Sequence, residues 1–187
     1  MAELATGHLK GVTNGAALVL GSGLGGGIII NGKLFQGSHF QAGELTFLLP
    51  LQTEKLDPSL MQETTLSAIG LITKVNEILA SLDLKDGLLA FKAINAKKEA
   101  VYPIFETYCR NLAITILNLQ TIFDMETFVL GGGISAQSIL IEEVNRQFDK
   151  VHHEIDFIGK IIKRPKIVAC HHNGTNLIGA AYFLKQG

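Results

Sequence analysis

The feature that most constrains this chain is a glycine-rich run between two apolar segments. Residues 21–27 read Gly-Ser-Gly-Leu-Gly-Gly-Gly, with apolar residues 16–20 before them and 28–30 after them. A turn between strands needs one or two residues with positive φ, so five glycines in seven positions exceed what a turn requires. Glycine lets backbone N–H groups approach an anion closely, and Ser22 adds a hydroxyl donor. The run predicts a phosphate-binding hairpin turn; the alternative is a loose hairpin without a ligand.

The segments around this run predict a three-stranded antiparallel meander. The apolar run 14–20 is typical of a strand covered on both faces, and residues 25–30 resume the strand pattern. Asn31-Gly32 is a two-residue hairpin signal leading into a third strand at 33–35. Ahead of the meander, residues 1–8 predict the end of a helix that stops at Lys10-Gly11.

The rest of the chain alternates between helical and strand patterns. Apolar spacing and turn residues predict helices at 59–82, about 88–94, 101–123, 135 to about 150 and 177–185, and strands at 127–130 and 166–170. Three antiparallel strands followed by strands alternating with helices is the layout of one ribonuclease-H-like domain, the α/β unit duplicated in actin-like ATPases. We expect residues 1–35 and 98–187 to form this domain and residues 36–97 to be a helical insertion.

A second glycine segment follows the strand predicted at 127–130. Gly131, Gly132, Gly133 and Ile134 lead into a helix for which Ser135 is a plausible N-cap. Backbone amides and the helix N-terminus then point at the crevice at the strand end, where side-chain-free backbone suits an adenine or a ribose. The alternative is a tight packing turn between strand and helix.

A third segment combines glycines with carboxylates. Residues 37–44 contain His39 and end on Gly43-Glu44, and Glu63 follows ahead of a predicted helix. An ionised carboxylate offers only acceptors, which suits vicinal sugar hydroxyls. Taken singly, Glu44 is equally typical of a surface loop, and Glu63 of a charge near a helix N-terminus.

Composition excludes several classes of protein. Of the 187 residues, 47% are hydrophobic and 18% are charged, which permits a sizeable core. The net charge of −1 gives no electrostatic footprint for nucleic acid or an anionic membrane. No secretory signal and no apolar run of membrane-spanning length is present in the sequence. We expect a cytoplasmic protein in which Cys109 and Cys170 are buried free thiols.

These motifs together resemble the ROK family (repressors, open reading frames and sugar kinases). The resemblance rests on residues 21–34 with Gly37 and Ala42-Gly43-Glu44, then on residues 130–135 and on residues 176–182 near the end. It implies an actin-like fold of two lobes that close over Mg-ATP and a hexose or hexoside. Gly21, Ser22, Gly23 and Gly25 would line the phosphates, and residues 131–134 would meet the adenosine. Glu44, Glu63 and His39 would lie at the sugar, which the insertion 36–97 helps to bind.

Two positions depart from the family pattern. Many ROK proteins have a histidine three residues after the glutamate, followed by a cysteine-rich zinc loop. Here that position is Phe47, and no cysteine occurs between residues 44 and 63. A structural zinc needs four nitrogen or sulfur ligands, so no zinc is expected. The histidine pairs at 152–153 and 171–172 are not expected to bind metal either, because adjacent histidines in a strand point to opposite faces.

The second departure concerns the catalytic base. In the family this base is an aspartate several residues ahead of the segment that matches residues 2–5, which puts it upstream of Met1. Asp83, Asp86, Asp124, Asp149 and Asp156 are interpreted as solvated caps or linker residues. The resemblance therefore implies the C-terminal lobe of a sugar kinase, without its N-terminal lobe and inactive by itself.

Two other functions remain open at this point. The same fold forms the sugar-sensing part of ROK transcriptional repressors, which a helix-turn-helix upstream would identify. A non-catalytic module that self-associates through the long helix at 99–123 is the other alternative, and a homo-oligomer is compatible with every one of these functions.

Overall fold

The described part of the chain is built around one five-stranded mixed sheet. The computed structural model describes residues 1–49, 65–154 and 157–171. Its strands are β1 (Gly15–Leu20), β2 (Leu24–Ile30), β3 (Lys33–Phe35), β4 (Thr127–Gly132) and β5 (Lys166–Ala169). The strand order is β3-β2-β1-β4-β5; β1, β2 and β3 pair antiparallel, while β4 is parallel to both β1 and β5. The predicted meander is therefore confirmed.

The first hairpin turn is shorter than the glycine run. Strand β2 begins at Leu24, which pairs with Leu20, so the turn itself comprises residues 21–23 and the later glycines lie inside the strand. The second hairpin matches its sequence signal, because Asn31 and Gly32 adopt φ values of 53° and 72°. Positive φ at both positions is what a two-residue turn of the I′ type needs.

Six helices and one 3-10 turn are present in the described residues. They are α1 (Ala2–Thr6), α2 (Ala68–Ile78), α3 (Gly87–Asn95), α4 (Tyr102–Phe123), α5 (Ser138–Glu154), α6 (Ile158–Ile161) and the 3-10 turn Leu45–Phe47. Ser67 caps α2 by accepting a hydrogen bond from the Gly70 amide at 2.9 Å, and Asp86 caps α3 through the Leu89 amide at 2.9 Å. These caps satisfy amides that the helix leaves without a partner.

Several predicted helix limits are wrong. Helix α1 ends at Thr6 rather than near Lys10, with Gly7 as its C-cap. Ser135 does not cap α5, which begins at Ser138, because the Ser135 hydroxyl donates back to the Gly132 carbonyl at 2.8 Å. Helix α5 also runs on to Glu154, so the histidines at 152–153 lie on a helix and not on a strand. The helix predicted at 177–185 lies outside the described residues.

The main core lies between one face of the sheet and helices α2–α5. Phe105 of α4, Phe128 of β4 and Phe148 of α5 are fully buried in it. Each such side chain contributes about 1.5–3 kcal/mol through removal from water. Helices α2 and α3 belong to the same core through Val75 and Ile94, so the described part of segment 36–97 shares its core with the sheet.

The two cysteines differ in their environments. Cys109 is buried in α4, and burial raises the pKa of its thiol well above the ordinary range. Cys170 is only half-buried, so the expectation of two buried thiols is right for Cys109 and wrong for Cys170. Neither cysteine is in a disulfide.

A buried carboxylate joins α4 to α5. Glu143 is 4% exposed and accepts hydrogen bonds from Tyr102 at 3.1 Å, from Arg146 Nε at 2.8 Å and from Gln147 at 2.7 Å. Burial by itself would raise the pKa of Glu143, but the three donors outweigh it and hold that pKa below its usual value. Burial and the Glu143 carboxylate also raise the pKa of Tyr102 to about 12.

This carboxylate predicts acid sensitivity. Because the pKa of Glu143 is lower in the folded chain than in the unfolded one, its contribution is complete above the unfolded value of about 4.3 and is lost as the pH falls through the folded value. Urea unfolding between pH 7 and pH 3 should show a smaller loss of stability for Glu143→Gln than for the unmodified chain. Glu142→Gln, at an exposed neighbouring position, is the control. Equal pH profiles for all three proteins would contradict the assignment.

Candidate functional site

The two glycine segments meet at one edge of the sheet. Strands β1 and β4 are parallel and in register, with Leu20 paired to Gly132. The turn 21–23 follows the end of β1, and residues 133–135 follow the end of β4. The carboxyl ends of neighbouring parallel strands form the edge at which α/β sheets bind ligands. Both predicted ligand-binding segments therefore leave the sheet side by side.

A crevice of about 500 Å³ lies between these segments and two helices. Gly21 lines it from the first segment, and Gly133 with Ile134 from the second. Helices α2 and α3 and the segments before them form the other walls, through Ala68, Ile69, Ile72, Asp83, Lys85, Asp86, Gly87, Leu88 and Phe91. The Gly21 carbonyl accepts a hydrogen bond from the Ala68 amide at 2.9 Å, which attaches the first turn to the start of α2.

Two glycines of the crevice are not required by packing. A Cβ atom built on Gly21 or on Gly133 would meet no described atom within 4 Å, and neither residue has a positive φ. Any small side chain would therefore fit the described surroundings at these positions. The space in front of the backbone is open to a ligand, as close approach by a phosphate or a nucleoside requires.

Gly132 is required by packing. Its φ is +100°, and a Cβ there would lie 2.1 Å from the Leu20 carbonyl oxygen of the neighbouring strand. The packing-turn interpretation of the second segment is therefore correct for Gly132. Gly131 lies between these two cases: a Cβ there would contact Cys170 and Val19 at 3.9–4.0 Å, which is an ordinary van der Waals distance and not a clash.

The other predicted phosphate ligands lie near the crevice but do not line it. Ser22 is exposed at the tip of the turn, and the Gly23 carbonyl accepts a hydrogen bond from the Gly21 amide at 3.1 Å. Gly25 is exposed within β2, opposite Val19. Gly21, Ser22 and Gly23 lie together in this turn. The turn follows β1, and Gly133 follows the neighbouring strand β4.

The predicted sugar-binding loop packs on strand β2. A Cβ on Gly43, whose φ is +94°, would lie 2.3 Å from the Gly26 carbonyl oxygen, so loop and strand backbones are in direct contact. The Thr46 hydroxyl accepts a hydrogen bond from the Leu24 amide at 3.4 Å, next to the glycine turn. Glu44 and His39 are exposed on this loop and do not line the crevice. Glu63 lies outside the described residues.

Sequence reasoning did not assign four polar residues to the crevice wall, of which Asp83 is the first along the chain. Lys85 and Asp86 precede α3, and Gln137 precedes α5. The one available signal was Asp86-Gly87, which was correctly interpreted as a helix cap but not connected to the glycine segments. Asp83 is not a helix cap, because it accepts a hydrogen bond from the Lys85 amide at 2.9 Å in the turn before α3. Asp149 lies inside α5 in an ion pair with Arg164 and is not a cap either.

The described residues contain neither a metal-ligand cluster nor a membrane-spanning helix. Across residues 1–49, 65–154 and 157–171, no group of three or more His, Cys, Asp or Glu is arranged to hold a metal ion. Within the same residues, none of the helices combines the length and the apolar character that spanning a bilayer demands.

Comparison with known proteins identifies the family. The N-acetyl-D-glucosamine kinase of Vibrio cholerae is 30% identical over 95% of this chain, and the beta-glucoside kinase of Klebsiella pneumoniae is 27% identical over 100% of it. The chain spans about 60% of the length of these curated relatives. The crystal structure of a ROK family glucokinase from Streptomyces griseus, in complex with glucose and AMPPNP, superposes with a TM-score of 0.82 at 22% identity, covering 100% of this chain and 65% of that one. The predicted fold is thereby confirmed as that of the actin-like sugar kinases. All of residues 1–187 match the ROK family, and the chain belongs to that family.

Proposed function

We propose that this chain provides the nucleotide-binding lobe of an ATP-dependent sugar kinase, which transfers the γ-phosphate of ATP to a hydroxyl of a hexose or hexoside. The observation that carries the proposal is the crevice into which Gly21 and Gly133 both open. Backbone amides at two strand ends, next to a wall of Ile69, Ile72 and Leu88, suit a ligand with an anionic end and a flat apolar end. The kinase names of the Vibrio and Klebsiella relatives agree with this function.

The phosphates are assigned to the first turn. Gly21, Ser22 and Gly23, with Gly25 behind them, would line the phosphate oxygens. The donors would be the amides of Ser22 and Gly23 and the Ser22 hydroxyl, because the Gly21 amide already donates to the Gly23 carbonyl. Mg²⁺ accompanying the ATP would supply positive charge to offset the negative charge of phosphoryl transfer. In this chain the turn is fixed by the bond between the Gly21 carbonyl and the Ala68 amide, so the phosphate donors are held in place before ATP binds.

The adenosine is assigned to the second segment. Gly131, Gly132, Gly133 and Ile134 would form one side of its pocket, with helices α2 and α3 opposite. Gly132 determines how closely β4 approaches β1, and Gly133 leaves open backbone for the ribose. The volume of about 500 Å³ lies within the range typical of small-molecule and cofactor sites.

The sugar is assigned to the loop that packs on β2. Glu44 and His39, together with Glu63, would hold the sugar hydroxyls, and an ionised carboxylate accepts from two vicinal hydroxyls at once. The contact between Gly43 and Gly26 links this loop to the strand that carries the phosphate turn. A sugar held by this loop would lie beside β2, the strand that follows the phosphate turn.

The proposal predicts that filling the open space at Gly133 weakens nucleotide binding without unfolding the chain. Gly133→Val places an isopropyl group in the crevice where a Cβ meets no described atom, so the melting temperature should stay within about 2 °C while affinity for Mg-ATP falls at least about tenfold. Isothermal titration calorimetry measures the affinity. Ala100→Val, which adds an isopropyl group at an exposed turn, is the control.

Two results would contradict the assignment. Unchanged Mg-ATP affinity in Gly133→Val would remove the adenosine from the crevice. Binding of glucose or cellobiose by the unmodified chain, with no binding of Mg-ATP up to millimolar concentration, would favour the sugar-sensing function over the kinase.

A further inference from the structure

We propose that the side-chain amide of Gln137 recognises the base of the bound nucleotide, by pairing with N6 and N7 of adenine. This inference rests on the proposed function, because it requires a nucleotide in the crevice. It adds a residue that determines which base is accepted.

The backbone of Gln137 is held firmly at the crevice wall. Its amide donates to the Ile134 carbonyl at 3.1 Å, and its carbonyl accepts from the Leu140 amide at 3.0 Å. These bonds connect the second glycine segment to the start of α5. Gln137 is half-buried and lines the crevice together with Gly133 and Ile134.

The described residues do not use the side-chain amide of Gln137. Among the described residues it has no hydrogen-bond partner, whereas other amide side chains of the same helices bind protein groups. Gln147 donates to Glu143 at 2.7 Å, and Gln120 donates to the Lys163 carbonyl at 3.0 Å. A half-buried amide at the wall of a crevice gains most when a ligand supplies both a donor and an acceptor.

The remaining wall suits an aromatic ring. Ile69, Ile72 and Leu88 come from α2 and α3, on the side of the crevice formed by those helices. The polar edge of a ring packed against them would face the wall that contains Gln137. The polar atoms of that edge need a hydrogen-bond partner there. Asp86 is a weaker candidate for that partner, because its Oδ1 atom already accepts the Leu89 amide of its own helix.

The chemistry of an amide selects adenine on this edge. The carbonyl oxygen of Gln137 can accept from the N6 amino group while its NH₂ donates to N7, the bidentate pairing that glutamine makes with adenine. Guanine offers two acceptors, O6 and N7, on the same edge. Gln137 would then satisfy only its donor half, and its carbonyl would face O6.

The test compares base analogues on the unmodified chain and on two variants. In the unmodified chain, 7-deaza-ATP and purine riboside triphosphate should each bind about 5- to 10-fold more weakly than ATP, because each lacks one partner of the amide. Gln137→Ala should bind all three nucleotides with equal, reduced affinity. Gln137→Glu keeps the acceptor for N6 but not the donor for N7, so it should discriminate against purine riboside triphosphate alone.

The controls separate this inference from the proposed function. Gln36→Ala changes an exposed glutamine outside the crevice and should retain the full discrimination. If the unmodified chain binds ATP but binds both analogues equally well, the role of Gln137 is refuted while the kinase proposal stands. If Gln137→Ala keeps the discrimination of the unmodified chain, the same conclusion follows. Absence of Mg-ATP binding by the unmodified chain would overturn both.

Discussion

Gly132→Ala is expected to lower the free energy of unfolding by about 3 kcal/mol or more and to weaken nucleotide binding with it. The substitution forces a side chain onto a residue with φ +100° and puts its Cβ 2.1 Å from the Leu20 carbonyl oxygen. That oxygen belongs to the central strand, which pairs with β2 and β4 and has little freedom to move. Chemical denaturation monitored by circular dichroism measures the loss.

Gly133→Ala is the matched control, one residue further along the same segment. Its Cβ meets no described atom within 4 Å and its φ is not positive, so the change in stability should be small. The two alanine variants are thus expected to differ by several kcal/mol in stability at adjacent glycines. Equal stability of the two would show that β4 does not approach β1 as closely at Gly132 as described here.

Glu3→Ala is expected to destabilise the chain by about 2–4 kcal/mol. Glu3 is 6% exposed, and its two carboxylate oxygens accept hydrogen bonds from the His8 amide at 2.9 Å and the His171 amide at 2.8 Å. The carboxylate thereby connects the first helix to the residues that follow β5. Removing it leaves two amides that have lost their acceptor in a partly buried region, and the cost appears in urea unfolding.

Glu3→Gln separates the hydrogen bonds from side-chain packing. A glutamine amide keeps one acceptor but turns an N–H group toward the second backbone donor, so it should lose about half as much stability as alanine. Glu99→Ala, at an exposed position, should be neutral. A neutral Glu3→Ala would mean that the contact between the first helix and β5 adds nothing to the stability of the fold.

The hairpins and the long helix were predictable because their signals are local. Asn31-Gly32 adopts the positive φ values that its sequence implies, and α4 occupies Tyr102–Phe123 within the apolar stripe that predicted it. Helix ends were less predictable. Serine is a residue type that often caps helices, yet the Ser135 hydroxyl donates to the Gly132 carbonyl, and α5 begins only at Ser138.

The candidate site was predictable in its segments and not in its geometry. Both glycine segments were recognisable from their composition, and the strand pattern indicated that each of them lies at a strand end. That the two strands are neighbours was known only from the structure. Lys85 and Gln137 gave no signal, and Asp86 indicated only a helix cap. Lys85 and Asp86 contribute to the crevice because α3 folds over the ends of β1 and β4. A single polar residue beside a helix start is common in any sequence.

By itself the sequence determined the order of strands and helices, the two hairpins and the two glycine segments. These features depend on φ preferences and on side-chain periodicity, which act over a few residues. Only the tertiary structure decided which glycines serve packing and which leave room for a ligand. Gly132 and Gly26 meet other segments of the backbone, whereas Gly21 and Gly133 face open space in the described part of the chain. The Cβ clash at Gly132 is with Leu20, which is far from it along the sequence, so no local sequence pattern could predict the clash.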